Sequence, residues 1–270
     1  MKKILLLIKV ILIVYFFYFS FKRVHSMFLT PRLERFKIAE QSQGTCISQN
    51  LLDILIFQYP DYSDAYFEKS VAFNKRGDYE KGFELLNKAV ELDCKLHLGY
   101  RGWVKLMKLK DYQGSINDLK RLDSLTPNTV DAPWGDNIHY LQGLAYKGLK
   151  EYDLSIEQFD KSVNPQKDSS WVNHNLYLYK GIILKEQNRY EEALNHFNTC
   201  LKYCYYKSPE AYYHKGTTYI KLNLLDSSKA CLEKSLILFK EGYAHKDKYN
   251  EVQDELYLSD IEDRLNEIAL

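Results

Sequence analysis

The chain has 270 residues, 46% of them hydrophobic, with 23 tyrosines against 12 glycines and 6 prolines. That composition excludes a disordered or collagen-like chain and fits a packed helical protein. Formal net charge is +1, yet residues 1–26 hold five bases and no acid, which leaves 32 bases against 36 acids in the rest; so mildly acidic a body excludes nucleic acid as the principal partner, because phosphate binding needs clustered bases.

The N-terminal stretch Ile4–Phe21 reads ILLLIKVILIVYFFYFSF, apolar but for Lys9 and Ser20. Eighteen residues at about 1.5 Å each just match a bilayer's apolar core, and Tyr15, Tyr18 and Lys22-Arg23 suit its interface. Two readings stand. In one, residues 4–21 are an uncleaved single-pass membrane anchor, and the bases after it favour a cytoplasmic body by the positive-inside rule. In the other, residues 1–26 are a cleaved secretory signal, with Lys2-Lys3 as its basic start and Val24-His25-Ser26 as its cleavage site; the body is then secreted or periplasmic. The apolar stretch is longer than the usual signal core, which favours the anchor.

Residues 27–62 read as two N-terminal capping helices. Pro31 opens a charged helix over Arg32–Glu40, Ser42-Gln43-Gly44 breaks it, and Cys46–Tyr59 places Leu51, Leu52 and Leu55 on one face before Pro60 ends it.

From Ser63 a pattern recurs. Aligned on Tyr79, later segments bring Tyr112, Tyr152, Tyr190 and Leu225 to the same point, 33 to 40 residues apart. Three residues past each stands a small residue: Gly82, Ser115, Ser155, Ala193, Ser228. Seven past stands a large apolar one: Leu86, Leu119, Phe159, Phe197, Leu232. Nine before come Ser70, Trp103, Gly143, Gly181 and Gly216. Small and large residues at fixed helical offsets in tandem mark a stacked repeat array.

The first segment, Ser63–Cys94, carries Tyr66, Ser70, Phe73, Gly82, Leu86 and Ala89 at positions that resemble the tetratricopeptide repeat, a 34-residue helix–turn–helix unit. It departs from that pattern at Lys69, Gly82 and Cys94. Leu96–Thr126 is the weakest unit, since Gly102 lies one residue farther from Tyr112 than expected; its first helix is shifted or its turn lengthened. Thr126–Gly135 follows as a loop whose Trp134 is expected to plug between repeats. Asp136–Val163, Trp171–Cys204 and Ser208–Phe239 complete five units, of which YKGIILKEQNRYEEALNHFNTCL in the fourth matches best. Residues 240–270 read as a C-terminal capping helix, with Asp247–Ala269 acidic and amphipathic. The expected fold is thus all-α: an α-solenoid of about five helix–turn–helix repeats over 63–239, capping helices at both ends, and one N-terminal hydrophobic helix.

The resemblance implies that the first helix of each unit faces a concave groove. It would place Phe67 and Asn74, Tyr140 and Lys147, Tyr179 and Lys185, and Tyr213 and His214 there as partner-binding residues. Aromatic side chains with scattered lysines suit a peptide or protein partner. The lysine–asparagine clamp with which some family members hold a terminal carboxylate is not matched, because Phe67 and Val71 occupy two of its positions. His196, Cys200 and Cys204 share one helix face, but a fourth zinc ligand is missing. Five cysteines make no pairing framework and read as buried free thiols. No nucleophile–base spacing, phosphate loop or metalloprotease helix occurs. The chain is expected to be a non-enzymatic interaction scaffold near a membrane, or an exported soluble protein serving an envelope assembly. It calls for no cofactor, no metal and no small-molecule substrate.

Overall fold

The computed structural model describes residues 2–163, 173–247 and 249–269, without the side chains of 2–8, 23–27 and 269. Among the described residues there are helices and no strands. They form two compact units, Met1–Leu98 and Gly99–Leu270, with the division inside one helix.

The first unit holds α1 (Lys2–Leu29), α2 (Arg32–Gln41), α3 (Cys46–Gln58), α4 (Ser63–Arg76), α5 (Tyr79–Leu92) and the start of α6 (Cys94–Val104). Ala39, Leu51, Leu52, Leu55 and Ala65 form one of its cores, flanked by Phe36, Ile56, Tyr59 and Tyr62. The α3 start is capped by Thr45, whose hydroxyl accepts from the Ser48 amide, as an N-cap side chain satisfies an otherwise orphaned donor. Along α1, Val10–Phe19 and Phe21 are exposed. No helix is long and apolar enough to cross a membrane among the described residues. The side chains of residues 4–8, part of the expected 4–21 segment, lie outside them.

The second unit continues with a π-helical turn (Lys105–Leu109), α7 (Tyr112–Leu125), α8 (Ile138–Gly148), α9 (Tyr152–Ser162), α10 (Asn175–Glu186), α11 (Tyr190–Tyr203), α12 (Pro209–Lys221), α13 (Leu225–Lys240) and α14 (Leu258–Ala269). Three of its helix pairs share one packing rule. The glycine of the first helix makes room for the large residue of the second: a Cβ on Gly143 would lie 2.6 Å from the Phe159 ring, on Gly181 2.4 Å from Phe197, and on Gly216 2.8 Å from Leu232. Phe159, Phe197 and Leu232 are completely buried there. The small residue three past the reference position adds a second tie, for Ser155 Oγ donates to the Gly143 carbonyl at 2.8 Å.

The excess residue before Tyr112 has a definite location. It is taken up by the π-helical turn, which closes with the Asp111 amide donating to the Lys105 carbonyl at 2.9 Å. Single π-turns of this kind accommodate an inserted residue without ending a helix.

Two residues before each reference position the backbone is left-handed: Gly77 (φ 82°), Lys110 (54°), Lys150 (62°), Asn188 (61°) and Asn223 (58°). That conformation lets the turn reverse direction and costs a residue with a Cβ about 1 kcal/mol. Lys150→Gly is therefore expected to raise the unfolding free energy by about 0.5–1 kcal/mol, read from urea denaturation.

Several expectations are corrected here. Trp134 does not plug the repeats: it is 50% exposed and lies over Tyr100 and Trp103, with ring centroids at 4.6 and 5.8 Å. Its left-handed backbone (φ 56°) turns it outward, and Pro133 takes the buried place against Gly99. Cysteine burial also varies, since Cys200 is buried, Cys46 exposed, and Cys94, Cys204 and Cys231 intermediate, all unpaired. At the C-terminus, helix is confined to α14. Gly242 (φ 86°) ends α13 with the Tyr243 amide returning to the Leu238 carbonyl, a Schellman-type stop. Residues 243–247 and 249–257 are then without helix, and Asp247 Oδ1 accepts from the Tyr249 and Asn250 amides, which diverts the backbone into a turn,. The start of the fourth repeat, at Trp171, lies outside the described residues.

Candidate partner-binding groove

The second unit gathers six of the residues named as groove-lining. Helix α8 carries Tyr140 and Lys147, α10 carries Tyr179 and Lys185, and α12 carries Tyr213 and His214. Two of them are buried, while Lys147, Lys185, Tyr213 and His214 are half-buried. Tyr140 and Tyr179 are only 7% and 3% exposed and pack on Phe159 at centroid distances of 5.9 and 6.3 Å. Burial raises both phenol pKa values, that of Tyr140 well above its ordinary range, because a phenolate has no water to stabilise it. Their hydroxyls are therefore fixed as neutral donors and acceptors.

The cover comes from residues 243–247 and 249–257. His245 N donates to Glu210 Oε1 at 2.6 Å, which pins the segment to the start of α12. It then crosses the inner face. Lys108 donates to the Tyr249 carbonyl, Lys110 to the Glu251 carbonyl at 3.0 Å, and Gln253 Nε2 to the Leu144 carbonyl at 3.3 Å. Lys147 Nζ meets Asp254 Oδ2 at 2.5 Å and lies 5.4 Å from the centre of the Tyr179 ring. Beyond it, α14 buries Ile261 completely and directs Arg264 to the Tyr213 hydroxyl.

Lys185 and His214 form an inner pair. Lys185 Nζ lies 2.9 Å from His214 Nδ1 and 3.3 Å from Thr217 Oγ1. An ammonium has no lone pair, so it donates and His214 accepts in its neutral form. Burial, reinforced by Lys185 and Lys147, lowers the His214 pKa well below its usual value. Burial likewise brings Lys185 down to about 8. A depressed folded-state pKa makes stability fall as pH drops from the unfolded value toward the folded one. Stability is thus expected to rise by on the order of 2 kcal/mol between about pH 8 and pH 10.5, allowing for solvent at the partly open side. Lys185→Met should flatten this rise in a pH series of urea melts, and should match or exceed the parent at pH 7.

Phe67 and Asn74 belong to the first unit. Phe67 stacks on His97 at 4.9 Å. Asn74 is 2% exposed, and its amide fills the space over Gly82, where a Cβ would meet its oxygen at 2.0 Å. It packs α4 on α5 instead of lining a groove, because Gly82 leaves a gap that only a neighbouring side chain can fill.

Sequence reasoning missed Lys108, Lys110, Gln253 and Asp254. The one-residue excess ahead of Tyr112 was the available signal for the two lysines. For the crossing segment it was the polar run Lys246–Glu251, which lacks an apolar helical face. Among the described residues no group of three or more His, Cys, Asp and Glu side chains could hold a metal ion. The contact between completely buried Cys200 and Cys204, with burial added, raises the first thiol's pKa; the same contact and backbone hydrogen bonds lower the second to about 7 against the opposing effect of burial.

Models of the tetratricopeptide repeat match residues 38–93, 136–164 and 209–238. The first match begins at the end of α2 and takes in α3, α4 and α5. No curated protein matches the sequence. Among solved structures the chain is similar to PilF of Pseudomonas aeruginosa, with a TM-score of 0.58 and 16% identity over 77% of this chain and 94% of that one. It is similar to the MamA protein at 0.56 and 16%, over 67% and 94%. YrrB, described as a TPR protein with an unusual peptide-binding site, follows at 0.54 and 16%, over 71% and 93%. At such identities the likeness is one of fold.

Proposed function

We propose that this chain, which carries tetratricopeptide repeats, is a non-enzymatic scaffold that holds an extended segment of a protein partner in the groove of its second unit. The observation that carries the reading is the way this groove already grips main chain: Lys108 and Lys110 hold two carbonyls and Lys147 a carboxylate. Stacked helix pairs keep these donors at fixed spacing, so a peptide is met by a preformed surface and little is lost to ordering it. Capture from native extract with the full chain tests this. Lys108→Glu with Lys147→Glu is expected to lose the partner while helicity is unchanged; a partner retained by that variant would refute the groove as the site.

We further propose that residues 4–21 place the scaffold at a membrane. The exposed apolar run Val10–Phe19 supports this, since so continuous a surface in water needs a cover,. Tethering would raise the local concentration of anything bound nearby. The intact chain is expected in the membrane pellet, and a chain lacking residues 1–26 in the supernatant. An intact mass without residues 1–26 for the native protein would instead support an exported soluble form serving an envelope assembly.

A further inference from the structure

The segment crossing the groove is held as a ligand is held. Helix α14 and the turn near His245 are each fixed by their own contacts, the first through Ile261 and the second through Glu210. Between them, residues 249–256 meet the groove through separate polar contacts and, at the far end, through Leu256, which is 4% exposed. Lys108 and Lys110 take carbonyls two residues apart, which reads main chain without regard to side chains. Lys147 reads one carboxylate, Asp254, whose left-handed backbone (φ 52°) presents it. Val252 lies beside Tyr140 and Leu144. The fit is incomplete: Asn250 Oδ1 and Gln253 Oε1 are buried without a hydrogen-bond partner, and an open cleft of about 310 Å³ runs alongside, between Lys110, Lys147 and Asp254. Buried polar atoms left unpaired weaken an association that better-matched groups would strengthen.

We infer that residues 249–256 are a resident intramolecular ligand, displaced by an extended acidic segment of a partner protein that offers a carboxylate to Lys147 and an apolar residue in the place of Val252. This rests on the reading of the groove as a peptide site. It adds that the site is closed in the resting chain and that its partner resembles the sequence Asn250-Glu251-Val252-Gln253-Asp254-Glu255-Leu256. Lysines at Lys108, Lys110 and Lys147 give the charge complement, and a tethered competitor acts at an effective concentration in the millimolar range.

The test uses the full chain and a labelled synthetic peptide of residues 247–257, followed by fluorescence polarisation. Val252→Ser with Asp254→Ala, which weakens the resident segment, is expected to bind the added peptide roughly tenfold or more tightly than the parent. Adding Lys147→Glu should abolish that gain. Excess peptide should also speed proteolytic cleavage within 243–257 of the parent chain, a readout that needs no variant. Equal binding by parent and weakened chain, with loss on Lys147→Glu, would leave the groove a peptide site and overturn the resident-ligand inference. Binding that is absent throughout, or indifferent to Lys147→Glu, would overturn both.

Discussion

Phe197→Ala is expected to lower the unfolding free energy by about 3–5 kcal/mol. The ring is completely buried and sits over Gly181, whose missing side chain makes its space. On its other side it stacks with His214 at 6.0 Å. Removing it leaves a cavity that helix α10 cannot fill, since glycine offers nothing to move into the gap and the helix backbone resists collapse. The converse change tests the same contact: Gly181→Ala places a Cβ 2.4 Å from the ring and should cost about 1–3 kcal/mol through overpacking,. The two changes share one contact and should not add, which a double-mutant cycle in urea would read directly. Additive effects would show that the glycine and the ring are energetically independent.

Asp118→Ala is expected to cost about 3 kcal/mol, at the lower end for breaking a buried ion pair because the partners reach some solvent. Asp118 receives Arg101 through two bonds, at 2.8 and 2.7 Å, and Lys105 at 2.8 Å. Its side chain is 6% exposed, against 16% and 18% for those partners. Two cations would be left without the carboxylate that they enclose, and this desolvation governs the cost. Lys105 also opens the π-helical turn that aims Lys108 and Lys110. The substitution should therefore loosen residues 243–257 beyond its effect on global stability, visible as faster amide exchange there. Asp118→Asn keeps the shape and some hydrogen bonding, and should fall between parent and alanine in the same melts.

The repeat geometry was legible because it follows from short-range spacing. Gly143 with Phe159 and Gly181 with Phe197 each lie sixteen residues apart in sequence, and two packed helices turn that offset into contact. The π-turn was half legible: a surplus residue ahead of Tyr112 is countable, but its placement depends on where the helix yields. Left-handed turns were harder to see, since lysine or asparagine fills four of the five positions that glycine would have marked. The groove's cover left no periodic trace at all. Its contacts, such as Lys147 with Asp254, join residues 107 apart, and no local pattern connects them. Asn74 shows the opposite failure: a position that points inward in a regular repeat is turned aside by one neighbouring glycine.

An open repeat array has contacts only between neighbours, and its units can form in any order. The bonds from Lys108 to Tyr249 and from Lys110 to Glu251 each span 141 residues, so they cannot form until α8, α10 and α12 stand in register. They convert a chain of local steps into a ring that closes last. Loop closure over that length is slow relative to helix pairing. Closure of the unit is thus expected to come late in its assembly, and to tie its two ends together as a linear stack does not.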